Sequence, residues 1–219
     1  GIYPTIPPFT EMTCPVTLET ENEVEAVMRK FNKDGRKYIE FIAENVPPMG
    51  FCVIKRGKAK NAEKIRAEKG VLENEYLIVT YDEDGILLSV FDKENSRETL
   101  SGEGNRLSIF TDKCIHETAW NLEKNYQKRE WILRSAESVE ITEANEVRAV
   151  VRIRRRFNKS FITQDMILYR GSRQLVFETE VDWQERDKIL KAAFDVDVLA
   201  SQATFEAAHS AIERPVHRN

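Results

Sequence analysis

The chain has 219 residues, 41% of them hydrophobic and 32% charged, which is enough for one large core or a large core beside a small one. Its 33 Lys and Arg against 37 Asp and Glu leave a net charge of −4, so it has no general attraction for polyanions, and nucleic acid is set aside as a partner. No apolar run approaches the roughly 18 residues of a spanning helix, which sets a membrane aside. The opening "GIYPTIPP" lacks the basic-then-apolar order of a secretory leader. The three cysteines, Cys14, Cys52 and Cys114, are odd in number and widely spaced. They form neither a disulfide framework nor a CxxC metal pair, and they read as free thiols of a cytoplasmic protein.

In chain order, residues 1–20 hold four of the seven prolines and read as an extended lead-in. "EVEAVMRKFNKDGRKYIEFIAENV" gives two runs around Asp34-Gly35, a hairpin signal. Its first run, Glu23 to Phe31, fits a strand or a helix; its second, Arg36 to Val46, favours strand. "VPPMGFCVIKRG" is a turn into another strand. Lys58 to Glu73 is rich in Ala, Lys and Glu. It fits a short helix stopped by Gly70 or a solvated connector. The resulting division is 1–57 as lead-in and small β unit, 58–73 as connector, and 74–219 as the main β domain.

From Asn74 onward apolar residues recur with period two, as in half-buried strands. "EYLIVTYDEDGILLSVFD" is a hairpin turning at Asp82 to Gly85. "EVRAVVRIRRRF" places Val147, Ala149, Val151 and Ile153 on one face, with Arg148, Val150, Arg152, Arg154 and Arg156 on the other. "ITQDMILYRGSRQLVFETEVDW" places Leu175, Phe177, Thr179, Val181 and Trp183 opposite Glu178, Glu180 and Asp182. The arginine face and this acid face are expected to pair across strands, as a solvated surface rather than a phosphate patch. Roughly ten to twelve strands with little helix point to two packed antiparallel sheets.

The three histidines are His116, His209 and His217. "HETAW" begins like H-E-x-x-H, but Trp120 takes the place of the second imidazole, which excludes a metallopeptidase of that type. His209, among alanines, is expected as a buried strand residue. Neither a glycine-rich phosphate loop nor a G-x-S-x-G elbow occurs. The segment least like clean alternation is "NRLSIFTDKCIHETAWNLEKNYQKREW", Asn105 to Trp131. It gathers Trp120, Tyr126 and Trp131 among Asp112, His116, Glu117 and Asn121. Aromatic faces beside carboxylates and carboxamides suit a sugar: the ring packs on C–H groups and the polar groups bond hydroxyls. Trp131 starts an alternating run and is expected in the core, while Trp120 stands open between core and sugar contact.

From Leu72 to Asn219 the chain resembles the C-terminal β-domain of glycoside hydrolase family 38, the α-mannosidases, in its bacterial and cytosolic branch. The likeness is carried in order by "LENEYLIVTYDEDGILLSVFDKENSRETL", "GNRLSIFTDKCIHETAWNLEKNY", "VDWQERDKILKAAFDVDV" and "IERPVHRN". "VPPMGFCVIK" resembles the small β unit that precedes it. Two positions depart from the family pattern: Thr118 stands where Asp is common before Ala-Trp, and Cys114 replaces a usual proline. The resemblance implies a mainly β fold, a large antiparallel two-sheet super-sandwich of the galactose mutarotase type preceded by a small β unit.

It also implies a retaining α-mannosidase whose catalytic aspartate and divalent metal, usually zinc, lie on an N-terminal barrel outside this chain. Asn219 is then expected to fall inside a longer polypeptide. On this reading the chain has no catalytic residue, metal ligand or cofactor of its own. It supports the barrel in cis and lends the Asp112 to Tyr126 loop to the rim of the sugar site. There Trp120 stacks and Asp112 or Asn121 bonds hydroxyls. A homo-oligomer is compatible. The alternatives are a free-standing carbohydrate-binding module and a mutarotase-like sugar epimerase using His116 with Glu117.

Overall fold

The computed structural model describes residues 14–19, 25–44, 46–47, 49–55, 57–114, 121–123 and 125–217. The leading sheet contains β1 (Cys14–Glu19), β2 (Met28–Lys33) and β3 (Arg36–Ala43), in the order β1-β3-β2, all antiparallel. The β2–β3 turn is Asp34-Gly35, with φ of 51° and 75°. Two left-handed residues in a two-residue turn match the twist of the flanking strands, and Asp-Gly tolerates that geometry. Strand therefore prevails over helix in the first run, but only from Met28. Pairing with β3 allows Ala26, Ile39, Phe41 and Ala43 to bury together as a small core.

The second sheet runs in sequence order through β4 (Arg66–Glu68), β5 (Val71–Glu73), β6 (Leu77–Tyr81), β7 (Leu87–Asp92) and β8 (Arg97–Glu98). The helix alternative for 58–73 is thereby corrected. Residues 66–73 are a hairpin, and Gly70, at φ +84°, is its turn rather than a helix stop. The reason is tertiary: Ile65 and Leu72 are drawn into the main core, and Arg66 ties the hairpin through Glu68 and Glu73 at 3.0 and 2.9 Å.

The remaining strands are β9 (Arg106–Thr111), β10 (Glu130–Ile132), β11 (Ser138–Ala144), β12 (Arg148–Phe157), β13 (Ser160–Tyr169), β14 (Leu175–Asp182), β15 (Lys188–Ala193), β16 (Gln202–Ala207) and β17 (Ser210–Pro215). They form a four-stranded sheet β11-β12-β13-β14, a three-stranded sheet β10-β9-β15, and an isolated hairpin β16-β17. The five- and four-stranded sheets face each other. Leu72, Val79 and Leu87 from one meet Ala149, Val151, Ile153, Met166 and Leu168 from the other. Each such aliphatic side chain contributes about 1.5–3 kcal/mol on burial. The protein is thus a mainly β, antiparallel sandwich, with more and smaller sheets than two large ones. Isolated bridges Leu87–Gly104 and Leu100–Val196 join the β9 sheet to the sandwich.

Three local expectations are overturned. The arginines of β12 do not face the acids of β14, because β13 lies between them. Arg152 instead forms a bidentate pair with Asp165 of β13, at 2.7 and 2.6 Å, and Arg154 reaches Glu140 of β11 at 3.7 Å. His209 is exposed and sits at φ +58° in the β16–β17 turn, where its imidazole points away from any core. Trp131 is 40% exposed rather than buried, because β10 is an edge strand. Its ring rests against Phe157 (6.2 Å) beneath the ammonium of Lys188 (4.6 Å).

The period-two pattern of β12 runs one step further than its apolar residues do. After Val147, Ala149, Val151 and Ile153 the next inward position is Arg155, which is 1% exposed. It donates to the Asp84 carbonyl, while its Nε and Nη1 have no partner among the described residues. Burial lowers its pKa against the attraction of Asp84 and Asp82. Ion pairs Arg29–Glu143 (2.9 Å) and Arg148–Glu40 (3.5 Å) tie the leading sheet to β11 and β12.

Candidate functional site

β9 is the central strand of its sheet, and its two faces differ. Leu107 and Ile109 turn inward and are almost fully buried. Arg106, Ser108 and Phe110 share the other face, as residues two apart on a strand must. Register places Lys191 of β15 directly opposite Ser108, Ala193 opposite Arg106, and Glu130 of β10 opposite Phe110. A single 3-10 turn, Tyr126–Lys128, folds over this face. It closes because the backbone N–H of Tyr126 donates to Glu123 and that of Lys128 to Asn125. Its cover leaves Ser108 only 3% and Phe110 only 8% exposed.

The result is a cleft of about 420 Å³ between the turn and the sheet. The Tyr126 ring stands edge-on to Phe110, with centroids 5.4 Å apart. Its hydroxyl accepts from Lys191 Nζ at 2.7 Å and from Gln127 Nε2 at 3.1 Å, which fixes the ring. Arg106 reaches Asp195 at 3.9 Å through Nη1. Its Nε and the Ser108 hydroxyl are buried and unpartnered among the described residues. Aromatic surface, a carboxylate and two cations therefore line one cavity, and two of its lining residues carry a buried unsatisfied donor, an arrangement sufficient to hold a monosaccharide-sized polar ligand.

Of the sequence-derived site residues, the structure brings Tyr126 into this cleft. Asp112 follows β9 but does not line it. Its N–H donates to the Asp187 carbonyl at 2.9 Å, and its Oδ1 is buried without a partner among the described residues. Asn121 is exposed and also outside the lining. Trp120 lies outside the described residues, as do His116, Glu117 and Thr118. Sequence reasoning missed Arg106, Ser108 and Lys191. The alternation in "RLSIF" carries the first two, which have neither an aromatic ring nor a carboxylate to mark them. Among the described residues no three His, Cys, Asp or Glu side chains converge to hold a metal ion. Nor is any helix among them long and apolar enough to cross a membrane.

The family model described as the glycosyl hydrolases family 38 C-terminal domain matches residues 72–219. The chain belongs to that family. Alpha-mannosidase G of Dictyostelium discoideum is 27% identical over 199 residues, which cover 80% of this chain and 18% of that protein. The human alpha-mannosidase 2C1 is 28% identical over 152 residues, which cover 68% of this chain and 15% of that protein, and its mouse counterpart is 27% identical over 152 residues. This family 38 domain therefore spans less than a fifth of the length of the relatives it matches. The matched range takes in β6 through β17 and begins within β5, so the β9 cleft lies wholly within it.

Proposed function

We propose that this chain is the β-sandwich part of a retaining α-mannosidase whose reacting carboxylate lies on polypeptide outside these 219 residues. The reading rests on the family match over 72–219, supported by relatives named alpha-mannosidases. The divalent metal that the resemblance implies, zinc by that resemblance, belongs with the same outside polypeptide. The sandwich holds the β9 sheet rigid, and the Asp112 to Tyr126 segment sits at the rim of the sugar site. Tyr126 gives a ring face to sugar C–H groups, Trp120 stacks likewise, and Asp112 or Asn121, which lie outside the cleft lining, bonds a hydroxyl at its rim. The chain alone does not hydrolyse glycosides. The setting proposed is the cytoplasm, with the barrel as partner in cis.

The test uses an aryl α-mannoside with the longer polypeptide and with this chain separately. Release of aryl alcohol by the first and not by the second is expected. A longer polypeptide inert on all α-mannosides would overturn the proposal. The loop's part is read by titrating methyl α-mannoside: Trp120→Ala and Tyr126→Ala each weaken binding by on the order of 1–3 kcal/mol, and unchanged titrations remove the loop from the site.

A further inference from the structure

We infer that the end of the β9 cleft beside Arg106 is an oxyanion subsite, so that the sugar held there carries a phosphate or carboxylate substituent. The reason is a surplus of donors. Arg106 Nε and Ser108 Oγ are both buried and unpartnered among the described residues. A buried donor left unmade destabilises the fold, so two on one face point to an acceptor that arrives from outside. Arg106 and Ser108 are about 7 Å apart along the strand. Lys191, directly opposite Ser108, has its Cβ about 5 Å away. Its ammonium has three protons and gives one to Tyr126.

The residue across from Arg106 is Ala193, whose methyl side chain offers the guanidinium no acceptor. The cleft's one lining carboxylate among the described residues, Glu130, pairs with Phe110 and so stands at the far end from Arg106. Arg106's other contact, Asp195, sits at 3.9 Å from Nη1 and leaves Nε free. One end of the cavity is thus rich in donors and the other carries an acceptor. An oxyanion, with several lone pairs and no proton that needs a partner, fits the first end. Neutral hydroxyls, which donate as well as accept, fit Glu130. A sugar bearing one anionic substituent spans both.

The inference rests on the carbohydrate-rim reading for its sugar, and on the orphan donors alone for its oxyanion. The experiment follows the Arg Nε–H resonances of the 219-residue chain while titrating inorganic phosphate, mannose 6-phosphate and methyl α-mannoside in parallel. Phosphate is expected to shift one Arg Nε–H saturably, with a dissociation constant on the order of millimolar. Arg106→Gln abolishes the shift. Ser108→Ala and Lys191→Gln each weaken binding by on the order of fivefold or more. Glu130→Gln strengthens it. Arg154→Gln, on the outer sandwich face, leaves it unchanged. Lys191 is exposed, so Lys191→Gln tests the claim even where a β9 substitution disturbs the fold.

Mannose 6-phosphate binding tighter than phosphate supports the subsite and a sugar-borne source. Equal affinities support the subsite and overturn the sugar rim. Methyl α-mannoside binding with no response to phosphate overturns the subsite and leaves the rim standing. No response to any of the three overturns both.

Discussion

Gly85→Ala tests how tightly the sandwich is closed. Gly85 sits at φ +73° in the β6–β7 turn, and an added Cβ would lie 2.5 Å from Ile153 Cδ1 and 2.8 Å from Cγ1. Ile153 is fully buried and cannot swing aside. The turn itself is tied from four directions. Asp82 Oδ1 accepts from Asp84 N at 3.0 Å and Ile86 N at 2.9 Å, Asn105 Nδ2 donates to the Gly85 carbonyl at 3.3 Å, Ala136 N donates to Asp84 Oδ1 at 2.8 Å, and Arg155 donates to the Asp84 carbonyl. Left-handed backbone on alanine costs about 1–2 kcal/mol, and overpacking adds about 1–3 kcal/mol. The sum of about 2–5 kcal/mol lowers the melting temperature by about 5–15 °C in a domain of this size. Gly35→Ala is the control: φ is +75°, yet nothing lies within 4 Å of its added Cβ, so only the backbone term acts. Thermal unfolding of both variants separates packing from strain. Ile153→Val, which removes Cδ1, should couple favourably with Gly85→Ala by about 0.5–3 kcal/mol. A Gly85→Ala chain no less stable than Gly35→Ala, or a cycle with no coupling, would refute the packing argument.

Asn74 donates to the carbonyls of Tyr169 and Ser172 at 2.7 and 2.8 Å and accepts from the N–H groups of Tyr76 and Leu77 at 2.9 and 2.8 Å. Asn74→Ala is expected to lose about 2–4 kcal/mol in denaturant titration, and a loss under about 1 kcal/mol would contradict that bonding. Arg155→Met keeps the shape and removes a buried charge with two unpartnered nitrogens. It should be within about 1 kcal/mol of the parent or more stable, and a loss above about 2 kcal/mol would show the charge to be needed. Burial opposes the charge on Glu143, but hydrogen bonding and attraction from Arg148 and Arg29 overcome it and hold the carboxyl below its ordinary 4.5. With the folded pKa depressed, this stabilisation is full above 4.5 and is lost as pH falls through the lower folded value. Glu143→Gln should flatten the acid limb of a stability-against-pH curve, and an unchanged limb would remove the clamp from the account.

Elements whose signal is local were legible. The β2–β3 turn followed from Asp34-Gly35, the β6–β7 hairpin from "YDEDG", and β12 from its alternation, because a half-buried strand writes its period into consecutive residues. The site was legible only through Tyr126. Arg106 and Ser108 become cleft residues by facing Lys191, and that pairing brings together strands far apart in the chain. Arg155 shows the same divide: its type reads as surface, its parity reads as core, and parity prevails.

By itself the sequence determined strand against helix over most of the chain, the antiparallel sandwich and the family, since alternation, turn chemistry and ordered motifs are local properties. Only the tertiary structure decided that residues 66–73 join the sandwich, that β13 separates the arginines from the acids, and that Trp131 lies at an edge. Those outcomes depend on which strands become neighbours. Neighbour choice is set by how whole faces bury against one another, a property no short stretch of residues contains.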